Sequence, residues 1–248
     1  MKDIDKLINL IKTSSQTTVL TGAGISTLSG IKDFRSSNGM YSKKYKHLNV
    51  EEILNYEFFF SNPEIFYSWA KDNWYDMEKY EPNIVHNTLT KLQNQNLVGD
   101  IFTQNIDMLH TKANSKNIYE VHGSIKDHYC TKCNRTYSYD EIAPIVKKGQ
   151  VPRCKSCHGL IKPKIVFYGE SLNYGILERA YKSFSKSDLA IVLGSSLVVQ
   201  PAASFIMYTI NNGGKTVIVN KEPTSFDMYA TLRFTDLKST FDELNRNF

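Results

Sequence analysis

Apolar residues in this chain gather in short β-branched runs. Each run is followed by a loop of glycine and small polar residues, then by a stretch of helical period. The runs at 17–20, 97–103, 188–193 and 215–219 lead into Gly22-Ala-Gly24, Gln104-Asn-Ile-Asp107, Gly194-Ser-Ser-Leu197 and Asn220 respectively. Short β-branched runs of this kind predict buried parallel strands, alternating with helices in an open α/β sheet. Ligands of such sheets bind outside the carboxyl ends of the strands, so these loops are expected to ring one cleft.

The pattern at the ends and between the runs fills in the rest. At 1–12, Ile4, Leu7, Ile8 and Ile11 share one face of a helix. It lacks a basic segment leading into a long apolar block, so it does not read as a secretory signal. No stretch reaches the roughly 18 apolar residues of a membrane span, and a soluble, cytoplasmic protein is expected. A strand is expected at 118–121, with an extended segment at 164–169. Residues 49–80 are helical in period and rich in aromatics, with Phe58, Phe59, Phe60, Phe66, Tyr67, Trp69 and Trp74. They read as an insertion packing its own small core, or as the wall of an apolar substrate channel. Residues 127–162 show little periodicity and hold every cysteine. The expected division is a sheet domain of 1–48, 81–126 and 163–248, a helical insertion at 49–80, and a small metal-knit module at 127–162.

Composition narrows the partners more than the fold. With 248 residues, 41% of them hydrophobic and 22% charged, the chain is long enough to bury a core and is neither disordered nor fibrous in type. Its net charge of +5 is spread without a dense basic run, so a nucleic-acid arm is not expected and a mild preference for anionic ligands is.

Cys130, Cys133, Cys154 and Cys157 form two C-x-x-C pairs, the spacing of a zinc ribbon. Four thiolates close a tetrahedron and leave no position for water or substrate, so one structural Zn2+ is expected rather than a catalytic one; redox cysteines are the alternative. His128 and His158 flank the pairs and are expected outside the ligand set, beside it or in solvent. Such ribbons also occur in nucleic-acid-binding modules, so the metal site does not decide the function.

The loop after the first strand is closer to the chemistry. Gly22-Ala-Gly24 opens a dinucleotide fingerprint, but Thr27 stands where the third glycine belongs. The acidic residue expected about twenty positions on, at the end of a second strand, is also missing. Phe34 and Arg35 follow instead, an aromatic face and a phosphate-pairing guanidinium. The combination suggests a dinucleotide site not built for hydride transfer.

Taken in order, Gly22-Ala-Gly24-Ile-Ser, Asp33-Phe-Arg-Ser, Thr103-Gln-Asn-Ile-Asp107 with Leu109-His110, His122-Gly123, the two cysteine pairs, Phe167-Tyr-Gly-Glu170, Gly194-Ser-Ser-Leu and Asn220 closely resemble the sirtuin family over essentially the whole chain. Tyr56-Glu-Phe-Phe-Phe and Gly194-Ser-Ser-Leu-Val-Val-Gln-Pro-Ala bring it nearest the small bacterial sirtuins of class U.

The resemblance implies a Rossmann-like fold and an NAD-dependent protein-lysine deacylase, which would pass the acyl group of an acyl-lysine substrate to ADP-ribose and release nicotinamide. It places the NAD adenosine near Ser195, Ser196 and Asn220, with Leu237 as a further contact. The pyrophosphate would lie on Gly22, Ala23, Gly24, Thr27 and Arg35, and the nicotinamide beside Ile106 and Asp107, whose carboxylate can accept from the carboxamide; Gln104 would be a further cofactor contact. Phe34 would shield the ribose from water. His122 would act as general base on the ribose hydroxyls, as its ordinary pKa suits, and Asn105 would orient ribose and water. Val166, Phe167, Tyr168 and Gly169 would pair with the substrate backbone by strand addition.

Some positions depart from the family pattern. Lys32 stands where proline is usual, which releases a fixed φ in the cofactor loop. The stretch Thr235-Asp-Leu-Lys lacks the usual glycine. Ala70 and Asn73 occupy the places of the tyrosine and arginine that recognise dicarboxylic acyl groups, so acetyl or longer neutral groups are expected. The two rival readings are a mono-ADP-ribosyltransferase on the same scaffold and a partner- or nucleic-acid-binding zinc module with vestigial nucleotide binding.

Overall fold

The computed structural model describes residues 2–248; Met1, the first residue of the helix expected at 1–12, lies outside them. That helix spans Asp3–Thr13 and buries Leu7 and Ile11. Nine strands follow among the described residues: β1 (Thr17–Thr21), β2 (Ile101–Thr103), β3 (Ile118–Glu120), β4 (Gly123–Cys130), β5 (Thr136–Ser138), β6 (Ile161–Ile165), β7 (Leu189–Leu193), β8 (Lys215–Val219) and β9 (Leu232–Phe234).

Six strands form one sheet in the order β3-β2-β1-β7-β8-β9, and every neighbouring pair is parallel. The β-branched runs have the expected consequence: β1 and β7 are buried at all five positions. Alternate residues feed two cores. Val19, Ile191, Val217 and Val219 pack with the helices Asp3–Thr13, Ile84–Asn94 and Leu237–Asn247. Leu20, Val192 and Ile218 pack on the other face with Tyr174–Lys186 and Phe205–Asn211. The doubly wound parallel sheet read from the sequence is therefore present.

Some boundaries differ. The run at 97–103 contributes only Ile101–Thr103. Asn96 turns left-handed, with φ 59°, and the Leu97 N–H bonds back to Leu92 O, so its first residues close a helix instead of extending the strand. The short edge strand β9 was not anticipated, since three residues carry little pattern. The extended segment at 164–169 is a strand only to Ile165; beyond it the Val166 N–H turns to His122 O and the Tyr168 N–H to Leu54 O.

β4, β5 and β6 form a separate antiparallel sheet ordered β5-β4-β6. β4 and β6 run through the positions where the sequence suggested the cysteine module should begin and end. The helical stretch is broken into Val50–Ile53, Tyr56–Ser61 and Pro63–Asn73. Asn55 caps the second of these by accepting from Glu57 N–H, and Pro63 starts the third, where a missing N–H costs nothing. Phe59, Phe66, Tyr67 and Trp69 from these helices, with Trp74 just after them, share one core with Ile125 of β4 and with Tyr137, Tyr139, Ile142 and Leu160 of the cysteine module. The aromatic insertion and the module thus pack as one body, and Trp74 alone of the seven aromatics also reaches the cleft. No helix among the described residues is long and apolar enough to cross a membrane.

Candidate active site

β1 and β7 lie side by side where the strand order reverses, the point at which open α/β sheets bind ligands. Their exit loops are in direct contact. Gly22 N–H bonds to Leu193 O at 2.9 Å and Gly24 N–H to Gly194 O at 2.8 Å. A Cβ on Gly24 would stand 2.7 Å from Gly194 Cα, and one on Gly22 would stand 2.7 Å from Gly194 O. The two glycines are thus required first by loop-on-loop packing. The chain then winds into a seven-residue 3-10 helix, Ala23–Ser29, in place of the long α-helix of a dehydrogenase.

A cavity of ≈ 1330 Å³ opens over these loops, larger than the ~300–1,000 Å³ of an ordinary ligand pocket and suited to a dinucleotide beside a second substrate. Every residue expected in cofactor, catalytic or peptide roles lines it, except Asp107. That set includes Leu237 and Asn220 at one end and Val166 to Gly169 at the other.

Asp107 is buried and connects to the cavity through a chain of hydrogen bonds. Ser26 Oγ–H donates to Asp107 Oδ2 at 2.5 Å, and Leu109 N–H to Oδ1 at 3.0 Å. Burial pushes the carboxyl pKa upward, and these two donors oppose it. Asn105 Nδ2 donates to Ser26 Oγ and Gly22 O, both at 3.1 Å. With the amide NH2 so engaged, Asn105 presents its Oδ1 as the free polar atom. Gln104 Nε2 donates to Ser195 Oγ at 2.8 Å, tying the β2 and β7 loops together.

His122 follows β3 and lines the cavity. Its Nδ1 lies 3.1 Å from Gln104 O. A carbonyl can only accept, so Nδ1 carries the proton and Nε2 is left as the basic nitrogen. Burial holds the imidazole below its ordinary 6.5 against the Gln104 carbonyl, and the Arg35 charge pushes the same way. His110 is buried, with Nε2 3.1 Å from Thr21 Oγ1 and its ring 4.9 Å from that of His86.

Where Val166 to Gly169 line the cavity, a lysine without any motif of its own braces the loop. Lys162, 1% exposed, lies with its Nζ 2.8 Å from Glu170 Oε2, 2.7 Å from Ile165 O and 3.9 Å from the centroid of Phe167. Glu170 Oε2 also accepts from Phe167 N–H at 2.8 Å. Burial lowers the Lys162 pKa and the Glu170 carboxylate opposes this. In the cofactor loop, Lys32 is exposed, and closure comes from bonds beyond it: Met40 N–H to Asp33 O and Tyr41 N–H to Phe34 O, both 2.8 Å.

Two pairings are invisible to sequence reasoning for a physical reason. Ser26 lies 81 residues from Asp107, and Tyr41 lies 127 residues from Tyr168; no local spacing relates partners so far apart.

The four cysteine sulfurs lie within 4.8 Å of one another, with Cys130–Cys157 at 3.4 Å and Cys133–Cys154 at 3.7 Å. Zn–S bonds of ~2.3 Å put tetrahedral sulfurs about 3.8 Å apart, so the donor set fits zinc. The Tyr137 hydroxyl donates to Cys154 Sγ at 3.1 Å and draws that thiol toward the thiolate, the form a metal requires. Neither flanking histidine joins the cluster. His128 is buried with Nε2 2.8 Å from the Tyr75 hydroxyl, and His158 is exposed.

Residues 22–201 match the model of the Sir2 family. An NAD-dependent protein deacetylase of Thermotoga maritima is 44% identical over 92% of this chain and 91% of its own. One of Clostridium acetobutylicum is 38% identical over 94% of each. Among solved structures, Sir2 with a deacetylated p53 peptide and 3′-O-acetyl-ADP-ribose superposes with TM-score 0.91 and 41% identity, over 99% of this chain and 97% of that one. Sir2 with a p53 peptide and NAD+ gives TM-score 0.88 at 41% identity, with the same coverage.

Proposed function

The chain belongs to the Sir2 family, and we propose that its cleft binds NAD beside an acyl-lysine peptide and transfers the acyl group from lysine to ADP-ribose. It is an NAD-dependent protein deacetylase. The observation that carries this reading is the meeting, in one cavity, of the glycine loop, Phe34, Asn105, His122 and the peptide-side residues 166–169.

NAD supplies the electrophilic anomeric carbon and the ADP-ribose acceptor. The chain's own residues do the rest. His122 Nε2 takes the proton from a ribose hydroxyl, a role that its Nδ1–H bond to Gln104 O prepares. Asn105 Oδ1 orients the ribose or a water. Phe34 covers the ribose and excludes water from the reacting carbon. Arg35 pairs with the pyrophosphate, which the loop at Gly22, Ala23, Gly24 and Thr27 cradles. Ser195, Ser196, Asn220 and Leu237 surround the adenosine. Ile106 borders the nicotinamide, Gln104 is a further contact to NAD, and Asp107 accepts from the carboxamide through lone pairs that Ser26 and Leu109 leave free, since a carboxylate offers about four. The peptide lies along Val166, Phe167, Tyr168 and Gly169. The four cysteines hold one structural Zn2+, and the protein works in the cytoplasm.

Ala70 is buried and Asn73 donates back to Trp69 O, so neither position offers a cation for an acyl carboxylate. This supports acetyl and longer neutral groups. Sir2Tm has been solved with a propionylated peptide. The ADP-ribosyltransferase alternative is not favoured: His122 and Asn105 are both present in the cleft, and the curated relatives are deacetylases.

A panel of acyl-lysine peptides with and without NAD tests the assignment. Nicotinamide, deacylated peptide and O-acyl-ADP-ribose should appear in equal amounts with acetyl-lysine, and far less with succinyl-lysine. Label from NAD accumulating on protein, without deacylation, would overturn it.

A further inference from the structure

We infer that Tyr41 and Tyr168 form a positioning pair, a hydrogen bond across the cleft through which the peptide segment holds the cofactor loop closed; the inference rests on the deacetylase reading above. The hydroxyls of the two residues are 2.8 Å apart, and both line the cavity. Among the described residues this is the one side-chain hydrogen bond between the loop at 31–42 and the segment at 166–170.

Each tyrosine is anchored on its own side. Tyr168 is held through its backbone to the helical insertion, its N–H on Leu54 O at 2.9 Å and its carbonyl accepting from Tyr56 N–H at 3.0 Å. Its backbone is thus a fixed post. Tyr41 N–H bonds to Phe34 O at 2.8 Å. The Tyr41 ring lies 5.3 Å from the Phe34 ring and 5.3 Å from the Arg35 guanidinium. Moving Tyr41 therefore moves the aromatic lid of the ribose and the cation of the pyrophosphate together.

Tyr41 is not suited to proton transfer. Burial and the neighbouring Tyr168 hydroxyl push the Tyr41 pKa far upward, so the phenol stays protonated and serves as a tether.

The test is a double-mutant cycle of Tyr41→Phe, Tyr168→Phe and both together, in which only hydroxyls are removed and the rings keep their packing. For each protein, KM for NAD, KM for an acetyl-lysine peptide and the split of consumed NAD between O-acetyl-ADP-ribose and plain ADP-ribose are measured, with NAD affinity by calorimetry. Tyr41→Phe should raise KM for NAD about 2–10-fold, the range of one hydrogen bond, leave KM for peptide near the parent value, and divert more NAD to hydrolysis. The double variant should match the single ones, because the bond is lost only once. An unchanged KM and product split in Tyr41→Phe, or a double variant nearer the product of the single effects, overturns the pair. A parent that binds NAD but does not deacylate would defeat the deacetylase reading instead, and the cycle in NAD affinity would still decide the pair.

Discussion

At the scale of single residues, what each polar atom can do is set by the partners it already has. His122 has the residue type of a base, but the Gln104 carbonyl is what puts the proton on Nδ1 and the lone pair on Nε2. Burial and Arg35 hold its pKa below 6.5. A base works unprotonated, so kcat/KM should stay level through neutral pH and fall as pH drops through that lowered pKa. His122→Ala should lose about 10²–10⁴-fold in turnover with an unchanged unfolding midpoint. An acid limb centred above 6.5, or an alanine variant as fast as the parent, would contradict the role. His122 was legible in the sequence from its Gly123 neighbour and family context. The Ser26–Asp107–Asn105 chain was not, because hydrogen bonds between loops 79 and 81 residues apart leave no local spacing to read.

At the scale of elements, two hairpin ends hold the cysteines, and the β4–β6 pair runs from them to the cleft. β4 and β6 pair antiparallel, with Gly123 opposite Ile165 at one end and Cys130 opposite Ile161 at the other. His122 and Val166 lie immediately beyond the first end, joined by Val166 N–H to His122 O at 2.9 Å. If the proposed Zn2+ ties the module together, a chelator, or Cys133→Ser, should loosen both strands from the cysteine end. Hydrogen exchange should lose protection across Gly123–Cys130 and Ile161–Ile165 while Leu189–Leu193 keeps its own, and peptide affinity should fall before NAD affinity. Uniform protection after chelation would show that the cysteines carry no structural load. The strand pairing was hidden in the sequence because the cysteine spacing dominates that window and its strands are short and interrupted.

At the scale of the whole molecule, two histidines are sealed into the interior. His86, on the helix Ile84–Asn94, and His110, on Leu109–Lys112, are 0% and 3% exposed. One ring nitrogen of each has no hydrogen-bond partner among the described residues. Burial pushes His86 down to about 4 and His110 to about 3, the latter helped by the neighbouring His86. With folded pKa values below the unfolded 6.5, the unfolded chain binds more protons between those limits, so stability is complete above 6.5 and declines as pH falls toward 4 and 3. Each histidine contributes a slope of up to ~1.4 kcal/mol per pH unit in that window. Urea unfolding at pH 7 and pH 5 should show the drop, and His110→Asn should make it shallower; a flat profile would disprove it.

The sequence by itself determined the layered sheet, because short β-branched runs with few charges are most stable between two layers of helices. It also determined the metal-type cysteine set, since C-x-x-C brings two thiolates to one point through local geometry alone. The order of the motifs was enough to identify the family. The tertiary structure alone decided which loops touch: the Gly194 approach that excludes side chains at Gly22 and Gly24, the Lys162–Glu170 brace under the peptide loop, and the Tyr41–Tyr168 contact over the cleft. Strand and helix periods act over a few residues and are written into the chain. Contacts between loop ends depend on strand order and register, which become definite only when the sheet is assembled.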